Sequence, residues 1–147
     1  MERITNLISQ LEDYQNNLNA YFEAATINAE DTIIDMNIEQ LYSMGERRDG
    51  REITPYYAPA TVAIKKKKGQ RTDHVTLRDT FDWQASFFVQ YYPDGFEIKA
   101  SDWKTERLKR KYGDEILGLQ DGMVEYLCKN FYLPHLITEL KKILGYV

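Results

Sequence analysis

Residues 87–99 constrain the fold more than any other stretch. Phe87 to Tyr92 and Phe96 to Lys99 are two runs rich in aromatic and branched side chains, with Pro93-Asp94-Gly95 between them. Such runs around a Pro- and Gly-containing turn predict an antiparallel hairpin. On either side of it the apolar spacing lengthens to three and four. Ile4, Leu7, Ile8, Leu11, Tyr14, Leu18, Tyr21, Phe22 and Ala25 follow one helix face, which predicts an amphipathic helix over about 2–25. A second helical pattern runs through Ile33, Ile34, Met36, Ile38, Leu41 and Tyr42, with Asp31 and Thr32 near its start and Gly45 as its stop. A kink or break between the two is expected at Thr26–Asn28.

Beyond the hairpin, Ser101 or Asp102 caps a short basic helix over 103–112 that Gly113 ends. From Gln120 through Cys128 to Leu144 the spacing is helical again, with a break or kink near Leu133-Pro134. Helices, a small antiparallel sheet and helices again define an α+β fold, because no alternation of strands with long helices supports a parallel sheet. Ahead of the hairpin, Asp49-Gly50 marks a turn. Pro59 suits a first helical position and Gly69 a stop, so a helix is expected over 59–68, although Thr61, Val62 and Ile64 equally suit a strand. Val75 and Leu77 form a short strand or an extended approach to Asp79-Thr80. The 147 residues fit a single domain, comprising an N-terminal helical segment (1–45), a basic α+β middle with the hairpin (46–119) and C-terminal helices (120–147).

Charge is segregated along this order. Residues 1–46 hold nine acids and one base, residues 47–111 fifteen bases and nine acids, and residues 112–147 three bases and five acids, for a total of −4. An acidic end and a basic middle are complementary, which suits head-to-tail self-association or docking on a charged partner; a duplex-DNA binder is normally basic overall. Solvated faces are the plainer reading of the same pattern. With no apolar run near the ~18 residues of a membrane span, and no basic-then-apolar beginning, neither a membrane crossing nor a signal peptide is expected. The lone cysteine, Cys128, makes no intramolecular bridge and completes no ligand spacing, which fits a reducing compartment.

The densest positive patch is Lys65, Lys66, Lys67 and Lys68, followed by Gly69-Gln70-Arg71. Basic residues beside stacking rings such as Tyr56 and Tyr57 serve sequence-neutral nucleic-acid binders. On a helix the four lysines fan around the circumference, so they also suit solvent or a protein partner. Changing all four to glutamate is expected to leave the fold intact. His74, beside Asp73 and upstream of Asp79 and Asp82, lacks the spacing of a positioned general base, and no phosphate-cradling loop, nucleophile elbow or metal-ligand set is present. No enzyme, cofactor or metal is therefore expected. Trp83, Phe87, Phe88, Tyr91, Tyr92, Phe96 and Trp103 cluster around the hairpin, where alternation turns half of them inward. Trp83, Tyr91 and Tyr92 then join Lys65–Lys68 and Arg71 as expected partner contacts, unless helices cover both faces and all are core. The apolar stripe of the first helix is expected to be packed, so that Leu11→Asp unfolds or disassembles the protein.

In their order and spacing, Tyr57-Ala58-Pro59-Ala60-Thr61-Val62-Ala63-Ile64-Lys65, Lys68-Gly69-Gln70, Val75-Thr76-Leu77-Arg78-Asp79-Thr80-Phe81-Asp82-Trp83-Gln84-Ala85-Ser86, the hairpin, Lys111-Tyr112-Gly113 and Leu117-Gly118-Leu119 resemble the small neck and tail-completion proteins of tailed bacteriophages, the virion-morphogenesis group. The resemblance covers about residues 55–120. It implies a non-enzymatic protein of the virion, present in the host cytoplasm during assembly. Such a protein forms a homo-oligomeric ring between the portal or connector and the tail tube, or at the tail end, with passive contact to packaged DNA and no membrane. It also implies a structural motif at Asp79, Thr80, Ser86, Gly113 and Gly118, in which Asp79 or Thr80 caps a short helix and Ser86 returns the chain into the hairpin. The group usually carries Asp-Thr-Gly where this chain has Asp79-Thr80-Phe81. If that glycine serves a left-handed backbone position, Phe81 is strained there or the corner differs. A nucleic-acid-binding accessory protein using the Lys65–Arg71 patch is the alternative.

Overall fold

A computed structural model describes residues 1–146, and its fold is α+β. The first apolar pattern divides into α1 (Glu2–Asn16) and α2 (Leu18–Glu39). The break falls at Asn17, whose side-chain amide donates to the Asp13 carbonyl at 2.7 Å in competition with the backbone. It does not fall at Thr26–Asn28. There Ala25, Thr26 and Ala29 form the buried side of a continuous helix, and the Thr26 hydroxyl is satisfied by the Phe22 carbonyl (2.8 Å) and the Tyr132 hydroxyl (2.6 Å). The two expected helices therefore merge across residue 26. A π-helical turn, Gln40–Met44, ends α2 at Gly45, which has φ 67° and the His74 ring packed where a Cβ would stand.

The middle contains α3 (Pro59–Lys67), the single turn α4 (Asp82–Ala85), the strands β1 (Phe87–Tyr92) and β2 (Gly95–Ala100), and α5 (Thr105–Tyr112). Pro59 opens α3 and Gly69, at φ 71°, follows its end, so the helical alternative holds there. The strands pair antiparallel from Phe87–Ala100 to Tyr92–Gly95. The outer edge of β1 lies against α2, where Glu30 accepts from the Val89 N–H at 3.2 Å. The last segment is α6 (Asp121–Leu127), a second π-helical turn (Cys128–Tyr132) and α7 (Leu133–Ile143), with Pro134 as the second residue of α7, directly after the π-helical turn.

Ile33 of α2, Leu41 of the π-helical turn after it, Ile53, Val75, Trp83, Phe87, Ile98, Tyr112, Ile116 and Leu127 build one core. Its unusual seam is made by two fully buried amides. Asn37 donates to the Ile116 carbonyl (3.2 Å) and accepts from the Gly118 N–H (2.9 Å). Gln40, one turn on, donates to the Gly118 carbonyl (3.1 Å) and accepts from the Gln120 N–H (3.0 Å). An irregular segment is thus fixed to a helix by satisfying its backbone groups through side chains. No helix among the described residues is long and apolar enough to cross a membrane.

Candidate functional site: a basic valley between α3 and α5

Leu77 and Phe81 are the only non-glycine residues with positive φ among those described, at 55° and 75°. For side chains of this size the left-handed region costs about 1–2 kcal/mol each and persists only where the surroundings over-determine it. Three side chains provide that constraint. Gln84 of α4 donates to the Leu77 carbonyl (2.7 Å), Lys65 of α3 to the Arg78 carbonyl (2.8 Å), and Gln70 to the Asp79 carbonyl (3.1 Å). Every carbonyl of the 77–79 run is held by a different donor. The loop in turn places the Arg78 guanidinium over the rings of Tyr42 and Phe81, at 5.0 and 4.8 Å from their centroids.

This loop borders a pocket of about 260 Å³ that opens between α3 and α5. Tyr57, Leu77, Phe81, Trp83, Leu108 and Tyr112 contribute its apolar walls, and Lys104 and Arg107 stand on its α5 side. Lys66 and Lys67 on α3, and Arg107 and Arg110 on α5, are exposed and have no ion-pair partner among the described residues. Asp79 beside them is already matched: Lys68 and then Gln70 hold its carboxyl below the usual carboxylate range. Arg71 does the same for Asp73 through a 2.6 Å contact. With native values depressed, the stability these two carboxylates contribute is present above the ordinary value near pH ~4 and is lost as pH falls through the native value. Both are exposed, so that contribution is small.

The expected site residues separate into several groups. Lys65 is only 8% exposed, with its ammonium on the Arg78 carbonyl and 4.8 Å from the Tyr57 centroid. It is a structural post of the loop, so the expectation that all four lysines can be reversed without harming the fold is corrected. Lys66 and Lys67 face solvent, while Lys68 and Arg71 are engaged with Asp79 and Asp73. Trp83, expected at a partner surface, is 2% exposed, donates to Thr105 Oγ1 at 3.1 Å and meets Phe87 edge-on at 4.7 Å. Tyr91 and Tyr92 are half-buried: Tyr91 donates to the Asn19 carbonyl on α2, and Tyr92 accepts from Lys99. Of the hairpin cluster, Phe88 (37% exposed) and Trp103 (79%) are the rings left outside.

Neither Asp79 nor Thr80 caps α4 by a short side-chain bond; Phe81 occupies the cap position and Thr80 Oγ1 bonds Asp82 Oδ2 at 2.7 Å. Ser86 does direct the chain into the hairpin. Its hydroxyl donates to the Trp83 carbonyl (2.7 Å) and accepts from the Asp102 N–H (3.1 Å), tying the two ends of the hairpin together. Gly113 and Gly118 adopt φ 95° and 127°, with side chains of Glu115 and Arg48 crowding the places a Cβ would take. His74 is turned to the core: Nε2 donates to the Tyr42 carbonyl at 2.6 Å and Nδ1 lies 2.9 Å from Asp73. Sequence reasoning missed Lys104 and Arg107 as members of the valley. The signal was the basic run Arg107-Leu108-Lys109-Arg110-Lys111, recognised as a helix but not as the wall facing α3.

Comparison of the chain with protein-family models, with curated proteins and with solved structures finds no match in any of the three.

Proposed function

We propose that this chain is a non-enzymatic structural subunit of a tailed phage or prophage, acting at the head-to-tail junction or at the tail end and assembling as a ring of identical copies. It sits in the virion against portal, connector or tail-tube proteins. The observation that carries the ring is charge left unused within the subunit. All the ion pairs described lie between residues 47 and 142, and none reaches the acids of residues 1–46. Glu23, Asp31, Asp35 and Glu39 form an exposed row on α2, the last three at the four-residue spacing at which like charges repel. An unmatched acidic face and the unpaired, exposed bases of α3 and α5 on one chain favour a heterologous contact, which closes into a ring when the rotation allows.

Phe81 supports the phage resemblance in a second way. Where the virion-morphogenesis group carries glycine, this residue stands at φ 75°, in the left-handed conformation a glycine would serve. The exposed bases of the valley favour one competing reading, contact with the phosphate backbone of nucleic acid. Electron microscopy of the purified protein, with retention on immobilised duplex DNA over a salt series, separates the two. Annular particles with negligible retention at moderate salt are expected; isolated subunits held on DNA and released steeply by salt would support the accessory nucleic-acid role instead.

A further inference from the structure

The hairpin has two edges, and only one is closed. On β1 the outward Val89 N–H donates to Glu30 of α2. Val89 pairs with Ile98 in the register and turns its N–H away from β2, so that pair exchanges no bonds and Ile98 turns its own N–H and carbonyl away from β1. Phe96 and Ala100, two residues to either side, have the same orientation. The Ala100 carbonyl accepts from Thr105 Oγ1 at 3.3 Å. The N–H and carbonyl of Phe96, those of Ile98 and the N–H of Ala100 have no partner among the described residues. Ile98 is only 6% exposed, and a backbone donor and acceptor at so buried a residue are costly when left unpaired. All six residues of β2, and none of β1, border a groove of about 710 Å³ whose other walls include Leu117, Leu119 and Val124. The edge carries neither proline nor bulge.

We infer that β2 pairs with β2 of a second copy about a two-fold axis at Ile98, joining two hairpins into one four-stranded antiparallel sheet. Glu97 and Lys99 name the occupant and the register. They lie on the same face of β2, and neither has an ion-pair partner among the described residues; the Lys99 ammonium rests on the Tyr92 hydroxyl at 2.8 Å. With Ile98 opposite Ile98, the outward groups of Phe96, Ile98 and Ala100 exchange bonds between the strands, and Glu97 of each copy stands opposite Lys99 of the other. A slip of two residues sets Glu97 against Glu97 or Lys99 against Lys99, and a slip of one turns the bonding groups of one strand away. The edge is therefore complementary to itself in one register. The contact is isologous and does not depend on the ring reading; where both operate, rings stand back to back.

Charge reversal with mixing tests it. Glu97→Lys sets lysine against lysine in both cross-strand pairs, and Lys99→Glu sets glutamate against glutamate. At low salt, just above the concentration at which the wild type is fully associated, each variant alone should sediment at half the wild-type mass, and an equimolar mixture should regain the full mass because both pairs are again unlike. Hydrogen exchange reads the same contact residue by residue. The Phe96, Ile98 and Ala100 amides should be protected in the wild type and exchange faster in each variant, while the Phe88 and Gln90 amides, which bond β2 within the hairpin, stay protected and report an intact fold. Variants that keep the wild-type mass, or folded variants whose mixture stays at half mass, would overturn the two-fold contact and leave the ring untouched. Unprotected Phe96 and Ile98 amides in the wild type would also overturn it, and would leave the edge to an extended segment of a different protein.

Discussion

Asn37 and Gln40 hold the irregular 116–120 segment by the backbone bonds that a neighbouring strand would otherwise supply. Asn37→Ala strands the Ile116 carbonyl and the Gly118 N–H in the core, each at about 1–3 kcal/mol, so a loss of about 3 kcal/mol is expected in the denaturant midpoint. A change below about 0.5 kcal/mol would mean that water replaces the amide. Lys65 is the second residue whose role its neighbours hide. Lys65→Glu removes the donor to Arg78 and places a carboxylate against carbonyls, and should lower stability by a few kcal/mol. Lys66→Glu, on the exposed side of the same helix, should remain within about 0.5 kcal/mol of wild type. Equal melting of the two variants would contradict the division of the lysine run. None of this was legible in the sequence: Asn and Gln in an apolar stripe resemble ordinary polar interruptions, and four consecutive lysines carry no mark of which one points inward. Phe81 was the exception, because the missing glycine raised the question of a left-handed corner before its φ was known.

Elements were more legible than residues, for reasons of punctuation. The hairpin, α3, α5 and the Pro134 interruption all lie between Pro, Gly and caps, and the structure places them within a few residues of the expected bounds. The long helices were harder, because an apolar stripe reports a face and not what covers it. The stripe of α1 reads like that of a packed helix, yet Leu11 is 43% exposed in the subunit. Leu11→Asp is therefore expected to leave the melting temperature of the isolated subunit within about 3 °C of wild type, in place of the unfolding that the stripe alone suggests. Scanning calorimetry of a dilute sample checks this, and a cooperative loss of the transition would show that the stripe is packed within the subunit. Position in the chain hid the valley in a different way. Its two walls come from residues 59–67 and 105–112, which only the intervening hairpin and the 77–81 loop bring together.

At the scale of the whole molecule, the distribution of charge is the property that sequence and fold state jointly. The acidic first third and the basic middle were countable from the letters alone, but only the fold shows that none of the ion pairs among the described residues joins them. Unpaired charges of opposite sign on separate faces of one subunit steer like copies into register, and they are screened over about 8 Å at physiological salt. Association driven this way should weaken as salt rises. Sedimentation of the unmodified protein over a hundredfold range of concentration, at low and at high salt, tests the central claim most directly. Mass rising with concentration to a fixed multiple of 17.3 kDa, with the transition displaced to higher concentration by salt, is the expected result; a 17.3 kDa monomer at every concentration and salt would contradict it.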